Sequence, residues 1–267
     1  MNILEKKMYD LLKSLRDSYG VVGVKAEFEA EGTRIDELLR LIELVRKCDL
    51  KLGIKIGGCE AMKDLMECKQ FGTDYIIAPM VETEYALKKY IEAKNKIFDN
   101  EERNFVEFLV NIETKTSKDN LNKMINLNNQ YSLNDKINGI VFGRVDYTLS
   151  CGMSREVINE SAKITNDVIE VSKKAAENNL SLVVGGGVSV DSIEIMKEIR
   201  KTKLDRFETR KIIFSKETLD LPNLKKGMLE AVNFELSWLK NKKNYYGSIF
   251  KEDDKRINML SERWDVQ

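Results

Sequence analysis

Short runs of β-branched and aromatic residues return along this chain about every thirty residues, and that rhythm restricts the fold more than any other feature. The runs are Val21–Phe28, Lys51–Ile56, Tyr75–Val81, Phe105–Ile112, Ile137–Phe142, Leu180–Val184 and Thr209–Phe214. Their centres at Val24, Ile54, Ile77, Leu109, Val141, Val184 and Ile212 lie 30, 23, 32, 32, 43 and 28 positions apart. Between them stand stretches with apolar residues at helical spacing: Ile35, Leu38, Leu39, Leu41, Ile42 and Val45, then Ala61–Cys68, then Ile158–Ala176. Several strands are nearly continuous apolar runs, as strands covered on both faces are. Seven βα units over about 220 residues predict an α/β fold, a (β/α)8 TIM barrel, in preference to a doubly wound sheet. No GxGxxG follows the first strand, which argues against a Rossmann dinucleotide site. One strand is missing from the count: either the eighth lies near the N-terminus, or the barrel is irregular at its first strand.

After Ser215 the pattern turns helical. Leu229, Val232, Leu236 and Leu239 form a stripe, and no linker rich in proline or glycine intervenes. Residues 1–220 are therefore assigned to the barrel and 221–267 to a C-terminal helical extension of the same domain. Its aromatics, among them Phe234, Trp238, Tyr245, Phe250 and Trp264, exceed what one barrel face needs. Two uses stay open for them: packing on the chain's own barrel, or a subunit interface.

The sequence contains no histidine, which excludes Ser-His-Asp and Cys-His mechanisms, His-ligated zinc and any imidazole base. Four cysteines with no CxxC spacing are expected to be reduced thiols. Lys plus Arg and Asp plus Glu each number 44, so nothing points to nucleic acid or an anionic membrane as partner. The N-terminus reads as a charged amphipathic helix without the apolar centre of a signal peptide, and no apolar run approaches the ~18 residues of a membrane span. A cytoplasmic protein is expected.

Barrel enzymes work at the C-terminal ends of their strands, so the polar residues closing each strand are the candidates. Glu27 and Glu29 close the first strand and Lys55 the second. Glu113 closes the fourth, and Gly143, Arg144 and Asp146 the fifth. Glu113 and Asp146 stand out, because their carboxylates converge if neighbouring strands carry them. Two carboxylates plus water make a hard-cation site for Mg²⁺ or Mn²⁺, with open positions for a chelating substrate; capping of the following helices is the structural alternative. Lys55 has three open roles: holding a carboxylate or phosphate, forming a Schiff base if its pKa is depressed, or pairing with Glu27 or Glu60. Gly185, Gly186 and Gly187 after the sixth strand form either an anion-binding loop or a tight turn.

Three segments resemble the HpcH/HpaI aldolase and citrate lyase β-subunit family of (β/α)8 barrels: YIIAPMVET at Tyr75–Thr83, VNIET at Val110–Thr114, and NGIVFGRVD at Asn138–Asp146. The likeness runs from about Val21 to Ser215. It implies a divalent metal, Mg²⁺ or Mn²⁺, held by Glu113 and Asp146 and chelating the 2-oxo acid group of pyruvate or a similar enolate-forming compound. It also implies that Lys55 stands where the family carries an enolate-stabilising arginine, and that Glu27 or Glu29, or a metal-bound water, replaces the family's histidine base. Arg144-Val145 stands where the family has Pro-Ala or Pro-Asn, which leaves two readings open for Arg144: a residue near the metal that binds a substrate carboxylate or phosphate, or a surface arginine. The activity implied is metal-dependent carbon–carbon cleavage of the aldolase type, on a 2-oxo acid with an aldehyde or thioester partner. The assembly implied is a homo-oligomer, trimer or hexamer. The rival readings are a phosphate-binding barrel using Gly185–Gly187, with isomerase, synthase or phosphoenolpyruvate chemistry, and a barrel that binds a ligand without turnover.

Overall fold

The computed structural model describes residues 1–264. Helix α1 (Ile3–Tyr19) opens the chain. Asn2 caps it, accepting from the Glu5 N–H while the Glu5 carboxylate takes the Asn2 N–H. Its apolar face, Met8, Leu12, Leu15 and Tyr19, is buried. Alternating units follow: β1 (Val21–Glu27), α2 (Ile35–Lys47), β2 (Lys51–Lys55), α3 (Met62–Phe71), β3 (Tyr75–Ala78), α4 (Glu84–Ile97) and β4 (Glu107–Ile112). Next come α5 (Lys115–Asp119), α6 (Leu121–Asn128), β5 (Gly139–Gly143), α7 (Arg144–Ser150), α8 (Ala162–Glu177), β6 (Ser181–Gly185) and α9 (Ile193–Arg200). The last elements are β7 (Arg206–Glu208), β8 (Ile212–Ser215) and α10 (Leu224–Trp264).

The eight strands close into one barrel in sequence order, parallel from β1 through β7. The strand missing from the sequence count is β7, not one near the N-terminus, and the run read as the seventh strand is the eighth. Three residues separate Glu208 from Ile212, whereas a parallel crossover needs a dozen or more. β8 therefore returns as a hairpin, with the Thr209 amide donating to the Ile212 carbonyl at 2.9 Å, and runs antiparallel to both β7 and β1. The irregularity does reach the first strand: the register of β1 against β8 shifts between Val21 and Gly23. One consequence bears on function. The start of β8 lies at the same end of the barrel as the C-terminal ends of the other seven strands, so Arg210 and Lys211 belong to the mouth.

Inside the barrel, Tyr75, Ile77, Leu109, Val141, Val183 and Ile213 form one apolar cluster, and a second, larger one fills the space between strands and helices. Near the Tyr75 end, Arg206 pairs with Glu107 at 2.5 Å and stacks 4.3 Å over the Tyr75 ring. The C-terminal extension is one helix of 41 residues. α10 runs antiparallel to α1, from Gly227 against the Tyr19 ring to Asn241, which accepts from Asn2 Nδ2 at 2.7 Å. Its last buried residue is Trp238; the described remainder projects beyond the mouth end of α1. No helix among the described residues is long and apolar enough to cross a membrane.

Candidate active site

Strand alternation turns Lys25 and Glu27 of β1, Lys55 of β2, Asn111 of β4 and Glu208 of β7 into the upper barrel, with Glu113 just past the end of β4. All six are buried. Ammonium groups divide the carboxylates between them. Lys55 Nζ lies 3.2 Å from Glu113 Oε2 and 3.1 Å from Glu29 Oε2. Lys25 Nζ lies 2.5 Å from Glu208 Oε1 and 3.3 Å from Glu27 Oε1. Glu31 is met by Lys211 and by Arg210 at 3.0 Å. Glu113 is further held by Asn111 Nδ2, donating to Oε2 at 2.6 Å, and by the Met80 N–H, donating to Oε1 at 2.9 Å. Met80 makes that approach with φ +51°, a left-handed backbone uncommon for a side chain of its size.

Burial alone would lower the pKa of Lys55, but the charges of Glu113 and Glu29 raise it above the ordinary lysine value. Lys55 is thus held as an ammonium, and the Schiff-base role, which needs a free amine, has no support here. Its ion pairs are with Glu113 and Glu29, not Glu27 or Glu60; Glu60 pairs instead with Lys89 at 2.8 Å.

Asp146 sits in the first turn of α7, exposed at the surface. Among the described residues its carboxylate has no hydrogen-bond or ion-pair partner. Desolvation raises its pKa, and the nearby negative charge of Glu113 raises it further, against a smaller opposing effect of Lys55. A carboxylate in that position can serve as a cation ligand. No group of three or more acidic or cysteine side chains is arranged as a metal cage among the described residues. The residues that could hold a cation there are Glu113 and Asp146, two hard oxygen ligands. That suits Mg²⁺ or Mn²⁺, which keep several positions for water and substrate.

Arg144 is placed elsewhere. Its guanidinium is enclosed beneath the turn at 155–159, where Nη2 donates to the Ile158 carbonyl at 3.0 Å and to Asn159 Oδ1 at 2.5 Å. It is 1% exposed, no charged group faces it, and burial brings its pKa down to about 10. The expected projection toward the metal is not seen, because the side chain turns under the loop after α7. The glycines have steric reasons. A Cβ on Gly143 would stand 2.8 Å from Glu113 Cβ, and one on Gly185 would stand 3.0 Å from Glu208 Oε1. Gly186 has φ +79° and rides over the start of α7, where a Cβ would meet Val145 N at 2.7 Å. Gly187, at φ +63°, packs on Ile158. The run is thus a tight turn closing over α7.

The profile of the HpcH/HpaI aldolase/citrate lyase family matches residues 23–193, more than half of the chain. The chain belongs to that family. Membership places it with aldolase- and citrate-lyase-type enzymes, whose members generally depend on a divalent metal. No relative was found among curated protein sequences. Solved structures show the same fold at low identity. A HpcH/HpaI aldolase/citrate lyase family protein from Burkholderia cenocepacia J2315 superposes with TM-score 0.55 at 10% identity, over 91% of this chain and 99% of its own. A variant of the citrate synthase SbnG gives 0.52 at 12% identity, over 87% and 99%. Strand-end reading of the sequence singles out Lys55, Glu113 and Asp146 of this HpcH/HpaI barrel but assigns no role to Lys25, Asn111 and Glu208. Counting back by two from Glu27 and Glu113, the period of a strand, reaches the first two.

Proposed function

We propose that the chain is a carbon–carbon lyase of the aldolase type that acts on a 2-oxo acid, with Glu113 and Asp146 as the pair that holds a divalent cation. The observation that carries the reading is Asp146. Glu27, Glu29, Glu31, Glu113 and Glu208 each face a lysine or arginine, whereas Asp146 faces only the field of its acidic neighbours and the smaller opposing one of Lys55. When bound, the cation supplies Lewis-acid polarisation and charge stabilisation at a carbonyl oxygen.

The remaining work falls to the chain's own groups. Lys55, kept protonated, donates to the oxygen on which enolate charge develops, a preorganised donor in a water-poor site. Asn111, donating to Oε2, fixes the orientation of the Glu113 carboxylate. Glu29 pairs with Lys55 through Oε2 at 3.1 Å, and its side chain is 27% exposed where that of Glu27 is 10%. That leaves Glu29 as the base that takes the proton of the substrate hydroxyl as the carbon–carbon bond breaks and the aldehyde departs. Glu27, shared between Lys25 and Arg210, is the poorer base.

The test is proton NMR of pyruvate in D2O with Mg²⁺, with Mn²⁺ at trace level, and with EDTA. The methyl signal is expected to fade only with metal, and to persist with Glu113→Gln or Asp146→Asn. Absence of exchange under every metal overturns pyruvate as the donor.

A further inference from the structure

Helix α10 carries two apolar faces. Leu224, Met228, Ala231, Phe234 and Trp238 are buried against the chain's own barrel. The second face is a seam that starts at Leu229 and advances by three and four residues in strict alternation to Trp264. In its first half, Leu229, Val232, Leu236 and Leu239 are 47–58% exposed, and in its second half Phe250, Ile257 and Trp264 are 60–69% exposed. An unbroken three-four repeat over five heptads is the pattern of a left-handed coiled coil, and an exposed one lacks its partner helix.

The seam has two charged members, Lys243 and Asp253, placed symmetrically about Ser248. We propose that α10 pairs with α10 of a second copy of this chain, antiparallel, about a two-fold axis at Ser248. In that register every layer joins the two kinds of seam position, as antiparallel coiled coils require. Lys243 meets Asp253 of the partner subunit, and the reciprocal pair forms by symmetry. Tyr246 meets the partner's Phe250, Leu239 the partner's Ile257, and Leu236 the partner's Leu260. The flanks agree: Lys240 falls beside the partner's Asp254 and Glu235 beside the partner's Arg263. The one like-charged contact, Lys242 beside the partner's Arg256, is relieved because Lys242 already pairs with Glu37 of its own chain at 2.8 Å. A parallel pair would instead stack Lys243 on Lys243 and Asp253 on Asp253. Because α10 leaves the barrel at its mouth end, the antiparallel pair turns the two mouths toward each other.

Light scattering on the full-length protein tests this by charge exchange. Both charged seam residues are exposed, so their replacement does not endanger the fold. The wild type is expected at an even multiple of 30.8 kDa. Lys243→Asp sets aspartate against aspartate twice, and is expected to halve the mass. Lys243→Asp combined with Asp253→Lys restores the opposite charges, and is expected to restore the mass. A wild-type mass of one or three chains, an unchanged mass in the single variant, or no restoration in the double variant overturns the proposal.

Discussion

Lys94 on α4 is fully enclosed, its ammonium 4.6 Å over the Phe108 ring and donating to Asn95 Oδ1 at 2.7 Å. Burial, with a smaller contribution from the charge of Arg103, lowers its pKa from 10.5 to about 7. The unfolded chain therefore binds a proton that the folded chain does not between pH 7 and 10.5, and stability rises with pH across that window. Below pH 7 the full cost applies, of order 5 kcal/mol at ~1.4 kcal/mol per unit. Lys94→Met is expected to raise the melting temperature at pH 7 and to flatten its rise toward pH 10; a melt series at several pH values decides it. Lys55 shows the opposite case, a buried lysine kept charged by carboxylates. Lys55→Met leaves Glu113 buried without its cation, at a cost of roughly 3–5 kcal/mol. Pyruvate exchange should fall about 10²-fold or more through loss of an oxyanion donor, measured by denaturant titration beside the NMR assay. Lys55 was legible in the sequence because it ends a strand. Lys25 was not, because the reading stopped at strand ends while the polar layer reaches two residues deeper. Arg144 was legible as a polar residue after a strand but not as an enclosed one, since its burial depends on Ile158 and Asn159, fourteen and fifteen positions away.

At the scale of elements, seven strands and their helices could be read because apolar runs of four or more residues alternate with stretches at helical spacing. β7 could not. It has three residues, and two of them, Arg206 and Glu208, are charged side chains inside the barrel, which erases the apolar signal. Only the closure of the barrel and the tight loop to β8 make it a strand. The same end of the barrel shows what the glycine run does. Gly186 adopts φ +79° with Val145 N 2.7 Å from where a Cβ would stand, so the β6 loop and the start of α7 fit together only without a side chain. Gly186→Ala is expected to cost roughly 2–4 kcal/mol, from left-handed strain plus overpacking against backbone. The loss should appear in thermal melts. Because α7 carries Asp146, it should also appear as weaker Mg²⁺ or Mn²⁺ binding by calorimetry; a neutral substitution would show that the loop is free to move.

Over the whole molecule, burial divides the chain into a barrel that is complete by Trp238 and an arm that is not. α10 is about 60 Å long at ~1.5 Å per residue, and none of its described residues after Trp238 is buried. The stripe at Leu229–Leu239 was visible in the sequence, but the sequence left open whether it packed on the barrel. The structure spends a different face of the same helix there, so the stripe stays exposed and continues into the arm. Folding of the barrel therefore owes little to the arm, whereas the proposed pairing of two copies depends on it. Ending the chain after Tyr246 keeps the contacts of Tyr246 with Arg34 and Glu37 and removes half of the seam. Removal of exposed residues changes stability by about 0.5 kcal/mol or less, so the melting temperature of the shortened barrel should stay within a few degrees of the full chain. Its scattering mass should fall by half. A large drop in melting temperature at unchanged mass would mean that the arm serves its own barrel, and the seam would lose its meaning as a joint between copies.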